Sequence, residues 1–282
     1  MRRLRNNIYP FGVSITEMSK GELIFIGLGL SDDESPTVEA IESCRKADVL
    51  LAELYTSILT KDSIERLSKK IGKDIKVLGR LEVEEGKFIE ELKDKRVGFL
   101  VPGDPMTATT HVDLRIRAHD LGMSTRIIHG TSAMVAVPGI LGLQHYRFGR
   151  IVTIPFHQKG FEPTSPFELM VENFKRGMHT LVLLDIKSEE DRFMTANQGL
   201  AWLLSTAESM KSDIITQESL ACVVARAGSN SCIAKADRIK ELLGMDFGKP
   251  LHTIVIPGKL HFQEEEALVR FAGAPRELFG SE

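Results

Sequence analysis

Asp104 lies in Pro102-Gly103-Asp104-Pro105, directly after the apolar run Phe99-Leu100-Val101. Two prolines and a glycine end a strand abruptly and stiffen the turn that carries the carboxylate. Thr107 follows three residues on. A preorganised acidic turn beside a hydroxyl suits an electropositive small molecule; a plain structural turn has the same appearance. One strand later the stretch His129-Gly130-Thr131-Ser132 repeats the arrangement, with Ser132 and the amide after it free to hydrogen-bond. A third loop, Gly27-Leu28-Gly29, ends the apolar run of residues 22–30 and lets a ligand approach the backbone closely. A dinucleotide fingerprint would need another glycine where Asp32 stands. Asp32, Asp33 and Glu34 would also repel a pyrophosphate, so this loop suits a cationic or neutral ligand better.

Other reactive side chains carry less. The eight histidines are spread along the chain and show no HExxH spacing, and no Ser-His-Asp order stands out. His252 falls inside a strand pattern and reads as a satisfied sheet histidine. Glu264, Glu265 and Glu266 read as the solvated face of a helix. Cys44, Cys222 and Cys232 are scattered and lack CxxC spacing, so neither a disulfide framework nor a metal site is expected. The setting they suit is reducing and cytoplasmic. A formal net charge of −3 argues against a general nucleic-acid binder, and no apolar run reaches membrane-spanning length.

The elements that must position the three loops alternate. Strand patterns at 22–30, 48–54, 74–79, 96–101 and 124–130 are separated by helix patterns at 35–47, 60–72, 85–95 and 109–122, with another helix at 131–142. The order predicts a parallel, doubly wound sheet, whose ligands bind beyond the carboxyl ends of its strands. The pattern changes in a stretch rich in proline and glycine near 147–165. A second α/β unit follows, with helices expected over 167–176, 195–210 and 234–244 and strands over 179–186, 220–228 and 251–260. The expected organisation is an extension over 1–20, an N-terminal α/β domain over 21–155 and a C-terminal α/β domain with a mixed sheet over 156–282.

Taken together, "IGLGL", "AELYTS", "PGDPMTATTH", "GLQHYRFG", "FEPTSPFE", "HTLVLLDIK", "MTANQ", "VARAGS", "HTIVIPGKLH" and "AGAPRE" are recognisable. In order and spacing, from about Leu23 to about Leu278, the chain resembles the archaeal diphthine synthases of the tetrapyrrole-methylase-like superfamily. The resemblance implies two α/β domains with S-adenosylmethionine folded in the cleft between them, and a homodimer. The implied reaction methylates the amino group of a 3-amino-3-carboxypropyl-histidine of translation elongation factor 2, repeatedly, to the trimethylammonium, leaving S-adenosylhomocysteine. A corrinoid or sirohaem methyltransferase of the same superfamily is the alternative. Carried over by position, the cofactor contacts fall on Leu30, Asp104, Thr107, Ser132, Ala133, Leu183 (or its neighbour Leu184), Ala227 and His252. Glu53 and Tyr55 are candidates for the substrate side, Tyr55 through the attraction of its ring for a methylammonium.

Overall fold

The structure is a computed structural model, and it describes residues 21–30, 34–55, 61–157 and 163–280. The expected extension at 1–20 and the acidic residues Asp32 and Asp33 lie outside the described residues.

Five strands form the first sheet: β1 (Glu22–Gly27), β2 (Val49–Glu53), β3 (Lys76–Leu78), β4 (Arg96–Val101) and β5 (Ser124–Ile128). Their order is β3-β2-β4-β1-β5 and every pairing is parallel. The continuous apolar runs of β1 and β4 are buried on both faces, as parallel strands covered by helices require. Alternate residues feed opposite layers. Ile24, Ile26 and Leu50 pack under α1 (Val38–Lys46) and α2 (Lys61–Ile71). Leu23, Phe25 and Phe99 pack under α4 (Lys87–Glu91) and α5 (Val112–Asp120).

The single helix expected over 85–95 is instead two short ones, α3 (Arg80–Glu85) and α4. Gly86, at φ +66°, caps one and starts the other. A Cβ there would lie 3.3 Å from Leu114 of α5, so the break lets the two helices close over the sheet.

α6 (Ala133–Leu141) leads out of β5, and Ser132 caps it by accepting the Met134 N–H at 3.2 Å. Val137 and Leu141 of α6 join the core of the second sheet, among Leu181, Val255 and Leu268. That sheet holds β6 (Val152–Ile154), β7 (Thr180–Leu184), β10 (Leu220–Ala225), β11 (Ile233–Arg238) and β12 (His252–Ile256), in the order β11-β10-β12-β7-β6. β6 and β7 run parallel, and the other pairs are antiparallel. Its helices are α7 (Ser165–Lys175), α8 (Ala196–Ser209), α9 (Ile239–Leu243) and α10 (Phe262–Ala272). A small hairpin, β8 (Ile186–Lys187) with β9 (Arg192–Phe193), follows β7. The fold is therefore α/β, with an all-parallel sheet followed by a mixed one.

Three sequence expectations are corrected. The helix expected over 234–244 is strand β11 in its first half and helix α9 only from Ile239, because pairing with β10 satisfies the strand's backbone and overrides the helix preference of Ala234 and Ala236. The division expected at 155 falls just after β6, a strand that pairs with β7 in the second sheet. Glu264, expected on a solvated face, is fully buried. Among the described residues, no helix is long and apolar enough to cross a membrane.

Candidate functional site

Parallel strands deliver their carboxyl ends to one edge, so the loops after β1, β4 and β5 meet there. They meet backbone to backbone. The Gly29 N–H donates to the Gly103 carbonyl at 3.1 Å, and the Gly103 N–H returns to the Gly29 carbonyl at 2.7 Å. A Cβ on Gly27 would sit 2.4 Å from the Gly130 nitrogen, and one on Gly130 would sit 2.2 Å from the Gly103 oxygen. Glycine at these strand ends is thus required by close approach.

The turn above them is held by its own carboxylate. Asp104 Oδ1 accepts the Met106 N–H at 2.9 Å and the Thr107 hydroxyl at 3.0 Å. Its Oδ2 accepts His129 Nδ1–H at 2.7 Å. Burial alone would raise the Asp104 pKa, but the bonds from Met106, His129 and Thr107 outweigh it and hold the carboxyl below its ordinary value. Asp104 is therefore an ionised group with 8% exposure. Below it, the Pro105 carbonyl accepts the Thr109 hydroxyl at 2.7 Å and His111 Nδ1–H at 2.9 Å.

The second half closes the site from the other side. A Cβ on Gly228, at φ +81°, would lie 2.9 Å from Leu30 Cβ, so the turn after Ala227 rests directly against the first loop. His252 Nδ1 accepts the Ala196 N–H at 3.1 Å, which leaves the proton on Nε2 to be donated to the Lys249 carbonyl at 3.1 Å. Burial pushes its pKa down and keeps it neutral.

Between the halves lies a cavity of about 570 Å³, within the range of small-molecule sites. Leu30, Asp104, Thr107, Ser132, Ala133, Leu183, Ala227 and His252 all line it. Leu184 lines it beside Leu183, and Tyr55 lines it too. His252 is thus both the satisfied sheet histidine that its strand pattern suggests and part of the wall. Tyr55 stays a neutral phenol, its pKa pushed up to about 12 by burial and by the Glu53 and Glu84 carboxylates. Glu53 is not brought to the cavity: it is fully buried, its Oε2 accepts the Tyr55 N–H at 3.1 Å, and its Oε1 lies 3.9 Å from His111 Nε2.

Sequence reasoning missed eight polar residues of the wall, among them Arg80, Thr153, Asp185 and Arg226. Arg226 sat inside the "VARAGS" motif, where only Ala227 was singled out. Its guanidinium donates to the Phe247 and Lys249 carbonyls and to Ser231, fixing the loop that precedes β12. Arg80 gave no signal, since it follows a short strand and opens a polar helix. Among the described residues, no group of three His, Cys, Asp or Glu could hold a metal ion.

The structure thus joins a parallel and a mixed sheet around a shared cavity. Residues 22–242 match the tetrapyrrole (corrin/porphyrin) methylases, and the chain belongs to that family of methyltransferases. It is 46% identical over 255 residues to the diphthine synthase of Methanothermobacter thermautotrophicus, covering 90% of this chain and 97% of that one. It is 48% identical over 250 residues to the diphthine synthase of Methanocaldococcus jannaschii, covering 87% and 97%. A crystal structure of diphthine synthase superposes with a TM-score of 0.82 at 40% identity, over 91% of this chain and 98% of that one. Within the wider family, then, the chain groups with the diphthine synthases.

Proposed function

We propose that the protein is an S-adenosylmethionine-dependent N-methyltransferase of diphthamide biosynthesis. It methylates the amino group of the 3-amino-3-carboxypropyl-histidine of translation elongation factor 2, repeatedly, to the trimethylammonium. The observation that carries this reading is convergence. Eight positions drawn from both halves of the chain, from Leu30 to His252, line a single cavity of about 570 Å³.

The lining fits the cofactor. Leu30, Ala133, Leu183 and Ala227 supply apolar walls, and Thr107 and Ser132 supply hydroxyls. Asp104 supplies an ionised carboxylate in a partly desolvated place, where its attraction for a cation exceeds that of a surface charge. When bound, the cofactor supplies an activated methyl on a cationic sulfur. The protein then has to align the amine and exclude water. An α-amino group has a pKa of about 7.7–8.0, so a useful fraction is neutral near pH 7 and no strong base is needed. Orientation alone can lower such a barrier by about 7–11 kcal/mol. The neutral Tyr55 ring offers its face to each methylammonium product. The working unit in this reading is a cytoplasmic homodimer, which sedimentation of the purified protein would check.

The test is to incubate the protein with methyl-labelled S-adenosylmethionine and elongation factor carrying the aminocarboxypropyl-histidine. Label on that histidine, ending at three methyls, is the expected result. Label only on a corrinoid or sirohaem precursor, or on neither, rejects it.

A further inference from the structure

The strand order β3-β2-β4-β1-β5 lays the loops out across the cavity mouth. Leu30, Asp104 and Ser132, the proposed cofactor contacts of the first half, follow β1, β4 and β5. Tyr55 and Arg80 follow β2 and β3, on the other flank. That flank is unassigned on the cofactor side, and it carries one cation and one aromatic ring.

Arg80 is a largely exposed side chain at the cavity mouth. Its Nε donates to Glu84 Oε1 at 3.0 Å, one turn along α3, and its guanidinium carbon lies 5.8 Å from the centre of the Tyr55 ring. Its two terminal nitrogens have no hydrogen-bond partner among the described residues. The other guanidinium of the wall, Arg226, is committed to the Phe247 and Lys249 carbonyls and to Ser231. Among the described residues Arg226 keeps only Nη2 without a partner, so Arg80 is the guanidinium in the cavity with both terminal nitrogens to spare.

We infer that Arg80 anchors the carboxylate of the substrate's amino-acid head and so positions the adjacent amine for methyl transfer. The inference rests on the proposed function. The amine to be methylated shares its carbon with a carboxylate. A guanidinium whose Nε is already engaged presents its two terminal nitrogens as a fork, which matches two carboxylate oxygens. Binding both oxygens limits rotation of the head and sets the amine one carbon away, beside the Tyr55 ring. The device also discriminates. An amine without the neighbouring carboxylate, such as a lysine side chain, leaves the fork unpaired and is a poor substrate.

The cofactor carries an α-carboxylate as well, so the two sources need separating. The variants are Arg80→Gln and Arg80→Lys. The readouts are cofactor affinity by calorimetry, KM and kcat for the modified factor, and the same constants for a factor bearing a 3-aminopropyl-histidine that lacks the carboxylate. The expected result for Arg80→Gln is a KM raised about 10- to 100-fold, the range of a charged hydrogen bond. Cofactor affinity stays within about twofold, by the same reasoning that places Arg80 off the cofactor flank. The carboxylate-free factor is a poor substrate for the wild type and no poorer for Arg80→Gln. Arg80→Lys, which keeps the charge and loses the fork, falls between. The inference is overturned if cofactor affinity falls as far as KM rises, which moves Arg80 to the cofactor carboxylate. It is equally overturned if both factors lose activity alike, which leaves Arg80 a structural role. Failure of the proposed function itself shows earlier, as a wild-type protein that does not methylate the modified factor.

Discussion

Glu264 and His179 form a fully buried pair at the end of β7 away from the cavity, while Glu53 and His111 form another beneath it. The distal pair is closed. Glu264 accepts the Gln144 N–H and His179 Nε2–H on one oxygen, at 2.9 and 3.1 Å, and the His261 N–H on the other, at 2.9 Å. Arg147 Nε stands 3.5 Å away, and His179 Nδ1 accepts the Gly258 N–H at 2.9 Å. The pair beneath the cavity is joined differently. Its two side chains face each other at 3.9 Å, too far for a hydrogen bond. Each bonds instead to the backbone of a cavity loop: Glu53 to Tyr55, His111 to Pro105. The same two residue types therefore do different work. The distal pair ties several chain segments together. The proximal one lies between the Tyr55 flank and the Asp104 turn, each side chain bonded to one of the two loops.

The sharpest way to break this comparison is Glu264→Ala. It strands buried N–H donors from three chain segments and should cost about 3–5 kcal/mol of stability in thermal or denaturant unfolding. Methyl transfer per folded molecule should hold. A loss below about 1 kcal/mol would erase the distinction between the pairs.

Asp104→Ala should do the reverse. It removes the anion and releases Met106, Thr107 and His129. Cofactor dissociation constants measured by titration should rise about 10- to 100-fold, with a smaller effect on the chemical step. Unchanged affinity would remove Asp104 from the proposed site. His111→Phe should act more mildly. It keeps ring contacts with Phe25 and Phe99 and loses the bond to Pro105 and the nitrogen that faces Glu53. A cost of about 1 kcal/mol and a several-fold weaker cofactor affinity are expected. A stability loss with no change in affinity would make the proximal pair a second version of the distal one.

The smallest effect is that of pH. Burial lowers the pKa of His111, His179 and His252 below the ordinary histidine value of 6.5. Protonation therefore favours the unfolded chain. The stability these histidines contribute is full above about pH 6.5 and declines as pH falls toward their folded values. Glu264 is also held low, because bonds from Gln144, His261 and His179 outweigh the effect of its burial. Its contribution is present above the ordinary 4.5 and is lost only as pH falls further. Unfolding temperatures should be flat from pH 8 to 7 and fall from pH 6.5 to 5. A rise over that interval would contradict the lowered histidine pKa values.

Much of the first sheet was legible because its strands are continuous apolar runs and its helices start and stop on capping residues and glycines. The Gly86 break was not, since it answers to the approach of Leu114 from α5. The strand at Ile233–Arg238 was hidden by alanines that favour helix when judged alone. The cavity residues became legible through motifs, because Leu30, Leu183 and Ala227 have no chemistry that marks them individually. Arg80 carried no signal at all.

The sequence by itself determined the stiffness of the Pro102-Gly103-Asp104-Pro105 turn, the glycines where strand ends must touch, and the Ser132 cap. Each depends on the residue and its near neighbours. Only the tertiary structure decided which charges are buried, which are already paired, and which face the cavity. Glu264 is buried by partners at 144, 179 and 261; Arg226 spends Nη1 on carbonyls at 247 and 249. Arg80 is left with donors over Tyr55. The fate of a charge is set by what the fold brings within a few ångströms of it, and those groups lie on segments far apart in the chain.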